Sequence, residues 1–251
     1  MIDRLIEDAI VLGGANPDRV YLMGYSAGGD GVYQLAPRLA DRLAAAAMMA
    51  GHPNDASPLG LRNLPFTIHV GALDNGFDRN KVAQQWGEKL DALQKADPNG
   101  YVHEVKLHDG RGHWMQREDA VALDWMAQFT RQAYPTRVLW NQTRALHDQF
   151  YWLKNADTPI GRDAYVEADR AGQTIRIIKA EGIKHLRILL TDGMVDLDQP
   201  VQVKAGDQVL FNAIVPRTIN TINQTLQGRL DPTSTYDAAV AIELPTPLAD
   251  R

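Results

Sequence analysis

The stretch Val20-Tyr21-Leu22-Met23-Gly24-Tyr25-Ser26-Ala27-Gly28-Gly29 constrains this chain more than any other. Val20 to Met23 is an apolar run that reads as a buried strand. The residues after Gly28, through Leu43, read as a helix. Between them stands G-x-S-x-G, Gly24 to Gly28. A serine on so tight a strand-to-helix turn is held in a strained backbone conformation, with its hydroxyl projecting above the sheet. The flanking glycines let strand and helix backbones approach closely. The helix start points free N–H groups and the positive end of its dipole at the same spot, where an oxyanion fits. Taken alone the five-residue pattern is weak; the strand before it and the helix after it make it specific.

The rest of the chain reads as two textures. Up to Tyr134, strands and helices alternate. Ile2 to Leu12 carries Ile2, Leu5, Ile6, Ala9 and Ile10 at helical spacing, and Gly13-Gly14 stops it. Ala44 to Ala50 and Pro65 to Val70 read as buried strands, Asn80 to Lys95 as a helix, Tyr101 to Leu107 as an edge strand, and Glu118 to Tyr134 as a helix. That alternation predicts an α/β fold, a parallel sheet with helices on its faces. From Arg137 on, short alternating segments separated by turn signals, Phe150 to Leu153 among them, predict a smaller all-β, sandwich-like module, with Leu226 to Asp231 as a loop. The expected domains are residues 1–135 and 136–251. A chain of 251 residues suffices for two such cores.

Composition excludes several classes of function. Net charge is -5 with no long basic run, so nucleic acid is not an expected partner. No apolar run is long enough to span a bilayer, so no membrane partner is expected. Met1-Ile2-Asp3-Arg4 does not begin a signal peptide, which leaves a cytoplasmic location as the default. There is no cysteine, hence no thiolate metal site, disulfide or cysteine nucleophile. His103, His108 and His113 are five apart, which is not a same-face spacing. Asp192, Asp196 and Asp198 lack the glycine and final glutamate of a calcium loop. No metal and no cofactor are expected.

A serine hydroxyl becomes a nucleophile when a base takes its proton and a third group holds that base. For serines on such turns the chain order is Ser, Asp or Glu, then His. Asp74 follows the third strand in Gly71-Ala72-Leu73-Asp74, and His113 follows the fourth in Gly110-Arg111-Gly112-His113-Trp114. Both fall at C-terminal strand ends, where open α/β sheets bind ligands. Asp78 is the rival acid, further from the strand end. Ala27 is the expected oxyanion N–H donor. His52, after the second strand, reads either as a histidine capping backbone or as part of the substrate mouth. Trp114 reads either as packing or as substrate contact.

Through Gly24-Tyr25-Ser26-Ala27-Gly28-Gly29, Gly71-Ala72-Leu73-Asp74 and Gly112-His113-Trp114 the first 134 residues resemble the α/β-hydrolase superfamily. Within it they are most similar to bacterial esterases and to dienelactone-hydrolase- or polyhydroxyalkanoate-depolymerase-like proteins. The resemblance implies a serine carboxylesterase that cleaves small esters through an acyl-enzyme, with Ser26, His113 and Asp74 as its triad. A peptidase-like hydrolase, or an impaired hydrolase domain serving binding, is the alternative. Such families carry further strands before the elbow, and an H-G-G-type loop that gives a second oxyanion N–H; this chain has no counterpart. The expectation is therefore a truncated sheet: a fragment, a trimmed form, or a site completed by something else. It carries a further expectation, that the bare Val20 to Met23 edge makes the chain a homo-oligomer.

Overall fold

The computed structural model describes residues 2–142, 147–157 and 163–245. They fall into two units, Asp18–Gln132 on one side and Met1–Pro17 with Ala133–Arg251 on the other. The first helix, α1 (Ile2–Val11), therefore groups with the second unit; there Asp3 pairs with His147 at 2.8 Å. No helix among the described residues is long and apolar enough to cross a membrane.

The Asp18–Gln132 unit is a four-stranded sheet, β1 (Tyr21–Tyr25), β2 (Ala45–Met49), β3 (Phe66–Gly71) and β4 (His103–His108). The strands lie side by side in chain order and every pair is parallel. The two central strands are buried along their whole length, whereas β1 and β4 are edges and partly exposed. Central parallel strands are covered on both faces, which is why β2 and β3 read as continuous apolar runs. The small residues Ala45, Ala46 and Ala47 keep β2 thin enough for helices to settle on either side.

Helices α2 (Ala27–Leu35) and α3 (Arg79–Ala96) cover one face, where Tyr33, Phe66 and Trp86 meet with ring centroids 4.5–6.0 Å apart. The short α4 (Val121–Met126) covers the other. Its Ala122 and Met126 pack on Ala45, Ala47 and Met49, with Tyr21 and Tyr25 at the margin. This is the α/β architecture read from the sequence.

Two helices end earlier than their sequence suggests. The helix after Ser26 stops at Leu35 rather than Leu43, and the chain continues in short 3-10 turns, because Pro37 has no N–H to give the ladder. The expected helix from Glu118 to Tyr134 shrinks to a 3-10 turn plus α4. Beyond it Arg131 is drawn inward: its guanidinium donates to Asp18 Oδ1 at 2.9 Å and to the Asp41 carbonyl at 3.0 Å.

Among the described residues the other unit holds two sheets. One joins β6 (Gln149–Phe150), β7 (Leu153–Asn155), β10 (His185–Leu190) and β13 (Ala238–Glu243), all antiparallel. The second joins β5 (Arg137–Asn141), β8 (Tyr165–Ala171), β9 (Thr174–Glu181), β11 (Val201–Ala205) and β12 (Gln208–Ala213), antiparallel except between β9 and β11. They meet where Trp140 stacks on Phe150, 6.0 Å apart, and where Asn155 donates to Gln142 at 2.8 Å.

Two expectations fail here. Phe150 to Leu153 is a hairpin turn, not one strand: Tyr151 takes φ 51°, and buried Trp152 donates its indole N–H to the Pro135 carbonyl at 2.8 Å. Leu226 to Arg229, expected as loop, is the last turn of α5 (Ile219–Arg229), capped at its start by Thr218. The face that α5 buries is polar, Thr221, Thr225 and Arg229, while Ile219 and Leu226 are exposed, so the apolar spacing does not mark its packed side.

One polar side chain inside the first unit has a measurable consequence. His69 on β3 is 1% exposed, bonded to Thr67 Oγ1 at 2.9 Å and to His108 Nε2 at 3.1 Å. Burial, with the charges of His108 and Lys106 adding to it and Glu104 opposing, pushes its pKa down to about 4. An unfolded histidine titrates near 6.5. Above that pH both states are neutral. Between 6.5 and 4 the unfolded chain takes up a proton that the folded protein refuses, so stability is lost as pH falls, by up to about 3 kcal/mol. Urea unfolding of the wild type and of His69→Gln at pH 7 and pH 4.5 measures this. The wild type should lose more stability than the variant over that interval, and parallel losses would contradict the assignment.

Candidate active site

Ser26 sits at the end of β1 and immediately before α2, with φ 56° and ψ −119°. For a residue with a Cβ this backbone region is sparsely populated and costs on the order of 1–3 kcal/mol. The surroundings enforce it. Ser26 N–H donates to the Met49 carbonyl at the end of β2 at 2.9 Å, and Ser26 O accepts from Asp30 N–H at 3.0 Å. A Cβ on Gly24 would lie 2.2 Å from the Gly28 carbonyl oxygen, and one on Gly29 would lie 2.5 Å from the Met49 carbonyl oxygen. Strand and helix are therefore pressed together at glycine, and the residue between them turns outward.

Asp74 and His113 arrive on two loops that are stitched to each other. Ala72 N–H donates to the His108 carbonyl at 3.0 Å and Leu73 N–H to the Arg111 carbonyl at 2.8 Å. A Cβ on Gly71 would lie 2.0 Å from the Gly112 carbonyl oxygen, so the His113 loop lies directly on the end of β3. The result is two hydrogen bonds in series: His113 Nδ1 is 2.8 Å from Asp74 Oδ2, and His113 Nε2 is 2.9 Å from Ser26 Oγ. An ionised carboxylate only accepts, which puts the imidazole hydrogen on Nδ1 and leaves the Nε2 lone pair facing the serine hydroxyl. Ser26 O–H then donates to His113, and His113 N–H donates to Asp74.

The burial is graded along this line. The Asp74 side chain is 3% exposed and that of His113 is 43% exposed. A buried carboxylate needs compensation. Besides His113, Asp74 has the Arg79 guanidinium 3.7 Å away; that group also donates to the Gly76 carbonyl and lies over the Phe77 ring. Asp78, the rival acid, is on the surface paired with Lys81 at 2.9 Å. Ala27 is the first residue of α2, so its N–H has no partner within the helix, and it follows Ser26 directly.

His52 lies after β2, its N–H donating to Asp30 Oδ1 at 2.6 Å and its ring Nδ1 accepting from Asn54 N–H at 3.0 Å. That is the backbone-capping arrangement. Trp114 is 60% exposed, its ring 5.9 Å from Tyr25.

Two contributors were not singled out from sequence. Tyr25, inside the motif itself, donates its hydroxyl to the His113 carbonyl and sets its ring 5.7 Å from the imidazole. Partial burial pushes the Tyr25 phenol up, a backbone hydrogen bond and Arg79 oppose, and the Asp119 and Asp74 carboxylates add, so it stays protonated and remains a donor. Arg79 is the other; an arginine opening a helix gives no signal of its own. Among the described residues no group of three or more histidine, aspartate or glutamate side chains could hold a metal ion.

No protein-family profile and no curated protein matches the chain. Among solved structures it is similar to a thermostable esterase at 16% identity and TM-score 0.44, over 52% of this chain and 36% of that one. It is also similar to esterase PE8, at 19% identity and TM-score 0.36, over 49% of this chain and 58% of that one. The chain thus spans less than two thirds of either.

Three glycines at the site differ in the room around them. A Cβ on Gly28 would meet nothing within 4 Å. Gly28→Ala should therefore melt within a few degrees of the wild type. Gly24→Ala and Gly71→Ala should each lose about 1–3 kcal/mol or more, because backbone has to move. Thermal unfolding of the three variants decides this, and an equally stable Gly71→Ala would refute the close approach.

Proposed function

We propose that this chain is a serine hydrolase acting on carboxylic esters. The observation that supports the reading is the pair of hydrogen bonds in series from Ser26 Oγ through His113 to Asp74, with the serine in a strained turn at a helix start. In the proposed cycle Ser26 Oγ attacks the ester carbonyl carbon while His113 Nε2 takes its proton. Asp74 keeps the imidazole in the tautomer that can accept, and stabilises the imidazolium. The oxyanion forms beside the Ala27 N–H and the positive end of α2. His113 returns the proton to the departing alkoxide, leaving Ser26 acylated. A water molecule, deprotonated by His113, attacks the acyl carbon; the bond to Ser26 Oγ breaks, His113 returns the proton to Oγ, and the carboxylic acid leaves.

The site also has an apolar rim. Leu73 beside Asp74, Phe77 on the same loop and Trp114 beside His113 are 60%, 79% and 60% exposed. In this reading they receive the apolar part of a small ester. The same chemistry cleaves amides more slowly, so a peptidase-like activity is the second reading to separate.

Turnover of p-nitrophenyl acetate by the wild type and by Ser26→Ala, with a matched p-nitroanilide in parallel, tests the proposal. The wild type should hydrolyse the ester in preference to the anilide. Ser26→Ala should lose activity by at least about a thousandfold. Equal rates for the two proteins would rule the nucleophile out, and a preference for the anilide would move the substrate to amides.

A further inference from the structure

His108 and Glu118 close the loop that carries His113, and neither takes part in the proposed chemistry. His108 is the last residue of β4, its side chain 9% exposed; Glu118 begins the 3-10 turn before α4. His108 Nδ1 lies 3.5 Å from Glu118 Oε2. Within the loop Arg111 donates to Glu118 Oε1 from Nε at 2.8 Å and also from Nη2, while its carbonyl accepts Leu73 N–H beside Asp74. On the interior side His108 Nε2 meets His69 Nδ1 at 3.1 Å, the rings stacked 5.4 Å apart, and His69 Nε2 meets Thr67 Oγ1 at 2.9 Å.

These distances fix a direction. Hydrogen bonding from Arg111 holds the Glu118 carboxyl below its usual range, with desolvation opposing and the Arg111 charge and His108 helping. Glu118 is therefore ionised and only accepts. With both rings neutral, His108 carries its hydrogen on Nδ1, toward Glu118. Its Nε2 then accepts from His69 Nδ1–H, and His69 Nε2 accepts from the Thr67 hydroxyl. From Thr67 to His108 each donor meets an acceptor, the far end turns its N–H toward the Glu118 carboxylate 3.5 Å away, and the line is anchored on β3, where it cannot shift without disturbing the sheet. Lys106 and Glu104, the other charged groups on β4, are paired with each other at 2.6 Å.

We propose that the hydrogen-bonded line Thr67–His69–His108, continued by the 3.5 Å contact of His108 with Glu118, clasps the 109–117 loop to the sheet, making His108 a positioning residue for His113. The positioning role rests on the reading of His113 as the base; the clasp itself does not. A loop that drifts by about an ångström takes the imidazole out of line with both Ser26 and Asp74, which costs on the order of 10- to 100-fold in rate.

The test uses the full chain as wild type, His108→Ala, His108→Gln and Glu118→Gln. Glu118→Gln, changed at the solvent end, covers the case in which His108→Ala does not fold. Backbone hydrogen exchange is followed by mass spectrometry, alongside kcat and KM for p-nitrophenyl acetate. Exchange across 109–117 should rise in His108→Ala and Glu118→Gln while α2 and β3 stay protected. The kcat should fall about 10- to 100-fold with KM within about twofold. His108→Gln, whose amide can both donate to Glu118 and accept from His69, should recover most of the loss. Unchanged exchange across 109–117, or an equal rise throughout the unit, would overturn the clasp. Selective loosening with kcat intact would overturn the positioning role. A wild type without ester turnover would overturn the esterase reading and the positioning role with it, while the exchange result would still decide the clasp.

Discussion

Two carbonyl oxygens occupy the volumes that side chains at Gly24 and Gly71 would need, 2.2 Å and 2.0 Å from where each Cβ would sit. Everything at the candidate site follows from those two contacts. The first brings α2 against β1 and leaves Ser26 a single way to turn, outward and strained. The second lays the His113 loop across the end of β3, beside the segment that bears Asp74. Remove either contact and the three side chains belong to three unrelated loops. A backbone held this closely at glycine is also stiff, which suits a site whose parts must stay aligned to within a few tenths of an ångström.

The electrostatics are arranged on the same scaffold. Asp74 is buried, and a buried carboxylate persists only when donors surround it. His113 Nδ1–H is one, the nearby Arg79 guanidinium contributes charge, and the carboxylate lies on one of two loops stitched together by backbone hydrogen bonds. His113, by contrast, is part-exposed. Tyr25 joins the two halves: it is the neighbour of the serine in the chain, yet its hydroxyl holds the carbonyl of the histidine. The residue before the serine thus restrains the residue that would activate it.

The sheet and the meeting of Ser26, Asp74 and His113 were legible in the sequence because each carries a local signature. Parallel central strands are unbroken apolar runs. The serine lies in a glycine-framed turn, and the other two follow strand ends. Helix ends were less legible, since what ends them is tertiary. Arg131 leaves the expected helix to reach Asp18 and the Asp41 carbonyl, residues about ninety or more positions away. The turn at Tyr151-Trp152 was hidden by its own apolar character; buried aromatics read as strand whether or not the chain reverses there. Helix α5 buries a polar face of Thr221, Thr225 and Arg229, which no apolar pattern marks. Arg79 left no trace because an arginine opening a helix is unremarkable; the Thr67–His69–His108 line left none because it depends on neighbouring strands being in register, His69 opposite Lys106 and His108 opposite Gly71.

The account stands on Ser26 being activated by His113, and covalent labelling reads that directly. The wild type is treated with a fluorophosphonate probe at neutral pH and the adduct is located by peptide mass spectrometry, with His113→Ala in parallel. The account predicts a single adduct on Ser26 that forms quickly in the wild type and at least about a hundredfold more slowly without the imidazole. An unlabelled Ser26, or labelling as fast in His113→Ala as in the wild type, would contradict it.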